Sequence, residues 1–237
     1  MGSKATRLAV QALTYVLLVA VAVSTVGPFV IMISVSLTQN IRFITFPIDL
    51  IPDPVTLENF RTLFSKTMAL RWLLNSVVVA SVSTLGGVIT STMAGYAFAR
   101  GDFWAKGAIF VLFLGILMMP DTALIVPQFV VLSGLGLVNT YTALIVPFLA
   151  SATGTFLFRQ HFANIPSELS EAAQLDGASP LQFLFRVLVP MSWNTIGALA
   201  VIQFVYVWNM YIWPVLIIQG QERQVVQVGL RTLFGGD

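Results

Sequence analysis

Few side chains in this sequence are placed to do chemistry, and they form three groups. The first is a single carboxylate: Asp121 stands inside an otherwise uncharged apolar run at 107–133. An ionisable residue held in hydrocarbon is costly and marks a proton relay, a solute path or a local structural bond. Pro120 precedes it, and a helix broken at that proline leaves backbone groups for the carboxylate to bond. The second group is Trp208, Asn209 and Tyr211, in the apolar run at 193–218. Rings that stack on C–H faces beside an amide that reads hydroxyls suit a polyol or a sugar. An amide in hydrocarbon also needs a partner. Asn75, near the start of the run at 72–98, carries the same argument. The third is Glu171, in a long polar stretch at 164–190. Its carboxylate is placed to pair with a cation of another protein, or to sit solvated near a helix N-terminus.

Other chemistry is excluded by what is missing. The sequence has no convincing carboxylate pair, no Ser-His-Asp set and no G-x-x-x-x-G-K-[ST] loop. Without that phosphate loop the chain is not expected to bind ATP, and no catalytic residue is assigned, so an enzyme is not expected. There is no cysteine, and His161 is the one histidine, which leaves no disulfide framework and no His- or Cys-based metal site. His161 fits the polar rim where a span ends. No cofactor is expected in this chain.

The elements that must position these residues are membrane helices. The 237 residues are 57% hydrophobic and 9% charged, with a mean hydropathy of +0.88. Soluble domains carry about 25% charged residues, so most of this surface faces lipid. The net charge of +2 and the pI near 9.2 reflect few titrating groups and give no case for nucleic acid. About 20 apolar residues cross a bilayer, and five runs qualify: 8–37, 72–98, 107–133, 141–158 and 193–218. The first is much longer than a signal-peptide core of roughly 7–15 residues. Small residues in the second (Ser81, Ser83, Gly86, Gly87, Ser91, Gly95) permit close helix packing. An all-α polytopic bundle is therefore predicted, as one transmembrane domain over 1–237.

Residues 38–71, with Arg42, Pro47, Asp49, Pro52 and Pro54, read as an exposed loop with a short helix at 57–64; 219–237 reads as a polar tail. Trp213 fits an interfacial aromatic belt. Lys4 and Arg7, Arg100 and Lys106, and Arg159 and Arg186 fall on one side after alternation, which makes that side cytoplasmic. The N-terminus and 164–190 then lie inside, and 38–71 lies outside.

The polar stretch has its own local logic. Glu168 to Leu175 favour a helix. Asp176-Gly177 ends it, because glycine takes positive φ without a Cβ clash. Ser179-Pro180-Leu181-Gln182 restarts it, with a serine N-cap, proline at the first helical position and a capping box. Such a rigid element outside the bilayer suits a docking surface for a soluble partner.

Glu171-Ala172-Ala173, Asp176-Gly177-Ala178, Phe183 and Pro190 together resemble the cytoplasmic coupling loop of permease subunits in bacterial ABC importers of the carbohydrate-uptake type. Pro54 to Phe60 and Val228-Gly229-Leu230 resemble further parts of such permeases, so the likeness covers nearly the whole chain. Ser151 to Gln160 and Trp208 to Ile218 are similar to the second permease of sn-glycerol-3-phosphate importers.

The resemblance implies a multi-pass subunit of a bacterial inner membrane. It implies a second, different permease sharing the solute path, two ATP-binding subunits that hold ATP and Mg, and an external substrate-binding protein. It assigns Glu171, Ala172, Ala173, Asp176, Gly177 and Ala178 to coupling with the ATPase, and a sixth span is expected. The implied cargo is sn-glycerol-3-phosphate or a glycerophosphodiester, with a sugar such as maltose or trehalose as the alternative. No Lys or Arg lies deep in any span, so a phosphate would be held elsewhere. A proton-coupled secondary transporter using Asp121 is the rival class. It would show an internal repeat or a chain of ionisable residues, and neither is found.

Overall fold

The computed structural model describes residues 4–39 and 51–234; Arg42, Pro47 and Asp49 of the expected outer loop lie outside the described residues. Two units separate, Met1–Thr67 and Met68–Asp237. In the first, α1 (Lys4–Ser36) is one unbroken helix of 33 residues. Its most apolar 18-residue window is wholly exposed, a state that water would penalise and lipid accepts. Beyond it, α2 (Glu58–Lys66) is tied back by Asn59, whose Nδ2 donates to the carbonyls of Ser36 and Thr38, both at 2.9 Å.

The second unit is built on α3 (Ala69–Arg100). Its small residues form one face, against which α7 (Ala152–Ala163) and α11 (Trp193–Trp208) lie. A Cβ on Gly95 would stand 2.4 Å from Phe158 Cβ, and one on Gly154 would stand 2.4 Å from Ser91 Oγ. The backbones of α3 and α7 therefore approach as closely as hydrogen-only side chains allow.

Among the described residues three helices are long and apolar enough to cross a membrane, and up to five if each bent pair is one span. The expected span at 107–133 is not straight. It consists of α4 (Lys106–Leu117) and α5 (Asp121–Gly134), bent by 107°. Pro120 removes a helical N–H and pushes Met119 out of helical geometry, so the chain turns there. The expected span at 141–158 runs further, from α6 (Tyr141–Ile145) through a 3₁₀ turn (Val146–Phe148) and α7 to Ala163. Arg159 and His161 thus stand inside the helix. Arg159 lies 3.9 Å over the Phe110 ring, and His161 Nδ1 lies 3.3 Å from Thr195 Oγ1 of α11. The expected span at 193–218 breaks after α11 and resumes as α12 (Ile212–Ile217).

The presumed polar tail also holds a helix, α13 (Val226–Phe234). Its Gly229 lies flat on Trp72, where a Cβ would be 2.1 Å from the indole. Trp213 is 3% exposed and donates through Nε1 to the Ala143 carbonyl at 3.0 Å. It is a core residue and not part of an interfacial belt.

Candidate functional site: the 164–190 loop and a cavity beside Asp121

The polar stretch folds as α8 (Ser167–Leu175), α9 (Pro180–Phe183), a π-helical turn (Leu184–Leu188) and α10 (Val189–Met191). Two locks set its shape. Gly177 has φ +75°. Gly177 N donates to Gln174 O at 3.0 Å and Ala178 N to Ala173 O at 2.9 Å, the bond pair of a Schellman cap. Ser179 Oγ accepts from Gln182 N at 3.3 Å, and Gln182 Oε1 accepts from Ser179 N at 2.8 Å, which closes the capping box.

A hydrophobic footing holds this unit at the end of the bundle. Phe183, Leu184 and Leu188 are buried with Phe158, Phe162 and Leu199. Tyr96 of α3 meets both Phe162 and Phe183 edge-on or tilted, with ring centres 6.4 and 6.5 Å apart. The Arg100 guanidinium donates to the Ile165 carbonyl. Above the footing, Glu171, Ala172, Asp176 and Gly177 are exposed, while Ala173 and Ala178 are half-buried toward the bundle. Leu175, Leu181 and Phe185 also face outward, at 89%, 56% and 50% exposure. The i, i+3, i+4, i+7 spacing of Leu181, Leu184, Phe185 and Leu188 reads as one apolar stripe, but only Leu184 and Leu188 are buried, and the π-helical turn at Leu184–Leu188 departs from the α-helical spacing that stripe assumes.

The second feature is a cavity of about 740 Å³, lined among others by Asp121, Thr122, Gln128, Ser151, Thr153, Gln203 and Tyr206. Asp121 opens α5, where the helix N-terminus favours a carboxylate. Its Oδ2 accepts the Tyr206 hydroxyl hydrogen at 2.8 Å. The break at Pro120 supplies that position, and a neighbouring phenol rather than freed backbone supplies the bond. Gln203 is 8% exposed, and its Nε2 donates to the carbonyls of Ser83 at 3.1 Å and Phe148 at 2.8 Å. Tyr206 and Gln203 were legible only as polar interruptions of an apolar helix.

Of the residues expected on a solute path, Asp121 alone lines this cavity. Trp208 stacks on Phe204 at 5.8 Å between ring centres and packs on the core. Asn209 caps α11, not its middle, and is exposed; its Nδ2 donates to the Val205 carbonyl at 2.8 Å. The amide expected to need a partner beyond its own helix finds one a turn below, because the helix ends there. Tyr211 receives Arg231 of α13, with the guanidinium 5.7 Å over its ring.

Asn75 is a clamp. Nδ2 donates to the carbonyls of Glu222 at 2.9 Å and Gln224 at 2.8 Å, and Oδ1 accepts from Tyr141 OH at 2.9 Å. Every capacity used joins α3 to distant chain, which leaves no amide hydrogen for a solute. Asn75→Leu orphans two carbonyls and a phenol, and should destabilise the bundle by about 2–4 kcal/mol. Asn209→Leu should cost under about 0.5 kcal/mol, since its bond is local and exposed. Heat-unfolding midpoints of the purified variants in detergent check the contrast.

Among the described residues no group of His, Cys, Asp or Glu could hold a metal ion.

Comparison with known proteins agrees with this geometry. Residues 86–235 match the family described as binding-protein-dependent transport system inner membrane component. The sn-glycerol-3-phosphate transport system permease protein UgpE of Brucella abortus is 38% identical over 207 residues, covering 84% of this chain and 72% of that protein. The UgpE of Salmonella typhi is 36% identical over 224 residues, covering 92% and 79%. A bacterial ABC transporter structure, of a system involved in import of the acidic polysaccharide alginate, superposes with a TM-score of 0.89 at 20% identity. It covers 98% of this chain and 82% of that one. The chain belongs to the inner-membrane permease family of binding-protein-dependent ABC importers.

Proposed function

We propose that this chain is one of two different permease halves of an ATP-driven importer, moving a small polyol- or sugar-type solute. Two ATPase subunits, which hold ATP and Mg, engage the 164–190 unit, and an external binding protein delivers the cargo. The chain itself does no covalent chemistry. The observation that carries this reading is the coupling unit. It is rigid by two capping motifs, anchored on a buried aromatic footing, and presents Glu171 and the apolar Leu175, Leu181 and Phe185 outward.

The relatives favour sn-glycerol-3-phosphate or a glycerophosphodiester as cargo. A neutral sugar such as maltose or trehalose is the second reading, because the cavity lining holds no Lys, Arg or His. Family membership sets the proton-driven alternative aside.

Topology is the direct test. Lys4, Arg7, Arg100, Lys106, Arg159 and Arg186 place the N-terminus and the 164–190 unit in the cytoplasm. The chain has no cysteine, so Ser170→Cys and Thr56→Cys each introduce one thiol. An impermeant thiol reagent on intact cells should label Thr56→Cys only, and ATP-binding subunits should co-purify with both variants. Labelling of Ser170→Cys alone, or a permease purified without an ATPase, would overturn the reading.

A further inference from the structure

The cavity beside Asp121 is one-sided in charge: the carboxylate is the single charged group of its lining. The Tyr206 hydroxyl hydrogen is committed to Asp121 Oδ2, so the phenol oxygen offers only lone pairs. Gln203 is oriented by its two carbonyl partners, which require the NH₂ group. Its Oε1 is then the acceptor end, buried beside Gly87 of α3 and without a donor, so it faces the helix packing and not the cavity space. The lining holds one carboxylate and no cationic side chain, beside hydroxyls and an amide (Thr122, Ser151, Thr153, Gln128) that both donate and accept. A low-dielectric wall strengthens the field of a lone charge.

Building on the importer reading of this cavity, we infer that Asp121, held by Tyr206, is a charge-selecting residue. It keeps this half of the path negative, accepts hydrogen bonds from cargo hydroxyls and turns phosphate away. A glycerol phosphate would pass with its hydroxylated end toward Asp121 and its phosphate toward the other permease. A neutral sugar would meet no penalty here. Tyr206 is the positioning residue, fixing one carboxylate oxygen and leaving the other for the cargo.

The cysteine-free chain lets the field be measured without knowing the cargo. Thr122 and Thr153 line the cavity. Thr122→Cys and Thr153→Cys would each be placed in the full transporter, purified with its partner subunits. Each thiol is then reacted with a cationic trimethylammonium and an anionic sulfonate methanethiosulfonate reagent. The ratio of the two rates should exceed that of a reference thiol outside the cavity, Thr56→Cys, by roughly tenfold. Adding Asp121→Asn should return the ratio to the reference, whereas adding Tyr206→Phe should preserve the cationic preference. A ratio indifferent to Asp121→Asn, a preference for the anionic reagent, or two unreactive thiols would each overturn the inference. If such a result comes from a complex that retains its ATPase subunits, the importer reading stands and only the charge selection fails.

Discussion

Gly95→Leu should abolish accumulation of assembled permease. The Cβ alone would stand 2.4 Å from Phe158 Cβ and 2.9 Å from the Arg159 backbone nitrogen. A side chain can swing away from such a clash; a helix backbone cannot. Overpacking typically costs about 1–3 kcal/mol, and here relief requires α7 to move off α3 along its length. That movement would also unseat Phe158 and Phe162, on which the 164–190 unit rests. Gly95→Ala should already lower the heat-unfolding midpoint of the complex. Gly115→Ala is the control, because nothing lies within 4 Å of its Cβ position. Equal yield of complex for Gly95→Leu and Gly115→Ala would remove the close α3–α7 contact from the account.

Gly177→Val should do the opposite kind of damage, sparing the fold and cutting the coupling. Nothing lies within 4 Å of a Cβ there, yet φ is +75°, so the penalty is purely conformational. A left-handed residue with a side chain costs roughly 1–2 kcal/mol, and more when β-branched. The Schellman turn would relax by unwinding, swinging Glu171 and Leu175 away from the geometry that a partner reads. Uptake and cargo-stimulated ATP hydrolysis should fall about tenfold per 1.4 kcal/mol of misplaced docking, with membrane insertion unchanged. Gly177→Asn should retain much of the activity, since asparagine tolerates this backbone region. Glu171→Ala should lower both activities severalfold. Normal uptake in both Gly177→Val and Glu171→Ala would rule out docking through this loop.

How much of this was legible in the sequence depended on the range of the physics involved. Gly177 and the Ser179–Gln182 box were readable because caps are decided by four or five neighbouring residues, and both form as expected. Helical membrane runs were readable because hydropathy is additive. Direction is not additive: Pro120 marked a break before Asp121 but not its 107° angle, and nothing in the apolar run marked the break at Asn209. Long-range pairing was invisible. Nothing near Asn75 announces Glu222, Gln224 or Tyr141, and an amide in an apolar run reads alike whether it meets a solute or a carbonyl. Helix α13 was missed for the same reason: its apolar face is short, and its partner, Trp72, lies far away in sequence.

The Asn75 clamp also has a consequence for the order of events during biosynthesis. Its carbonyl partners lie 147 and 149 residues downstream, and Ser76 receives the amide of Val226 150 residues on. At about 5–20 residues per second, α3 is made roughly 7–30 s before the ribosome delivers what satisfies it. Tyr141 arrives sooner, 66 residues on, but can serve only the oxygen. Until then the amide hydrogens of Asn75 need interim partners: water, the insertion machinery, or a carbonyl one turn below, as Asn209 uses. The helix on which the bundle is built therefore reaches its full set of bonds only after residues 222–226 have been made.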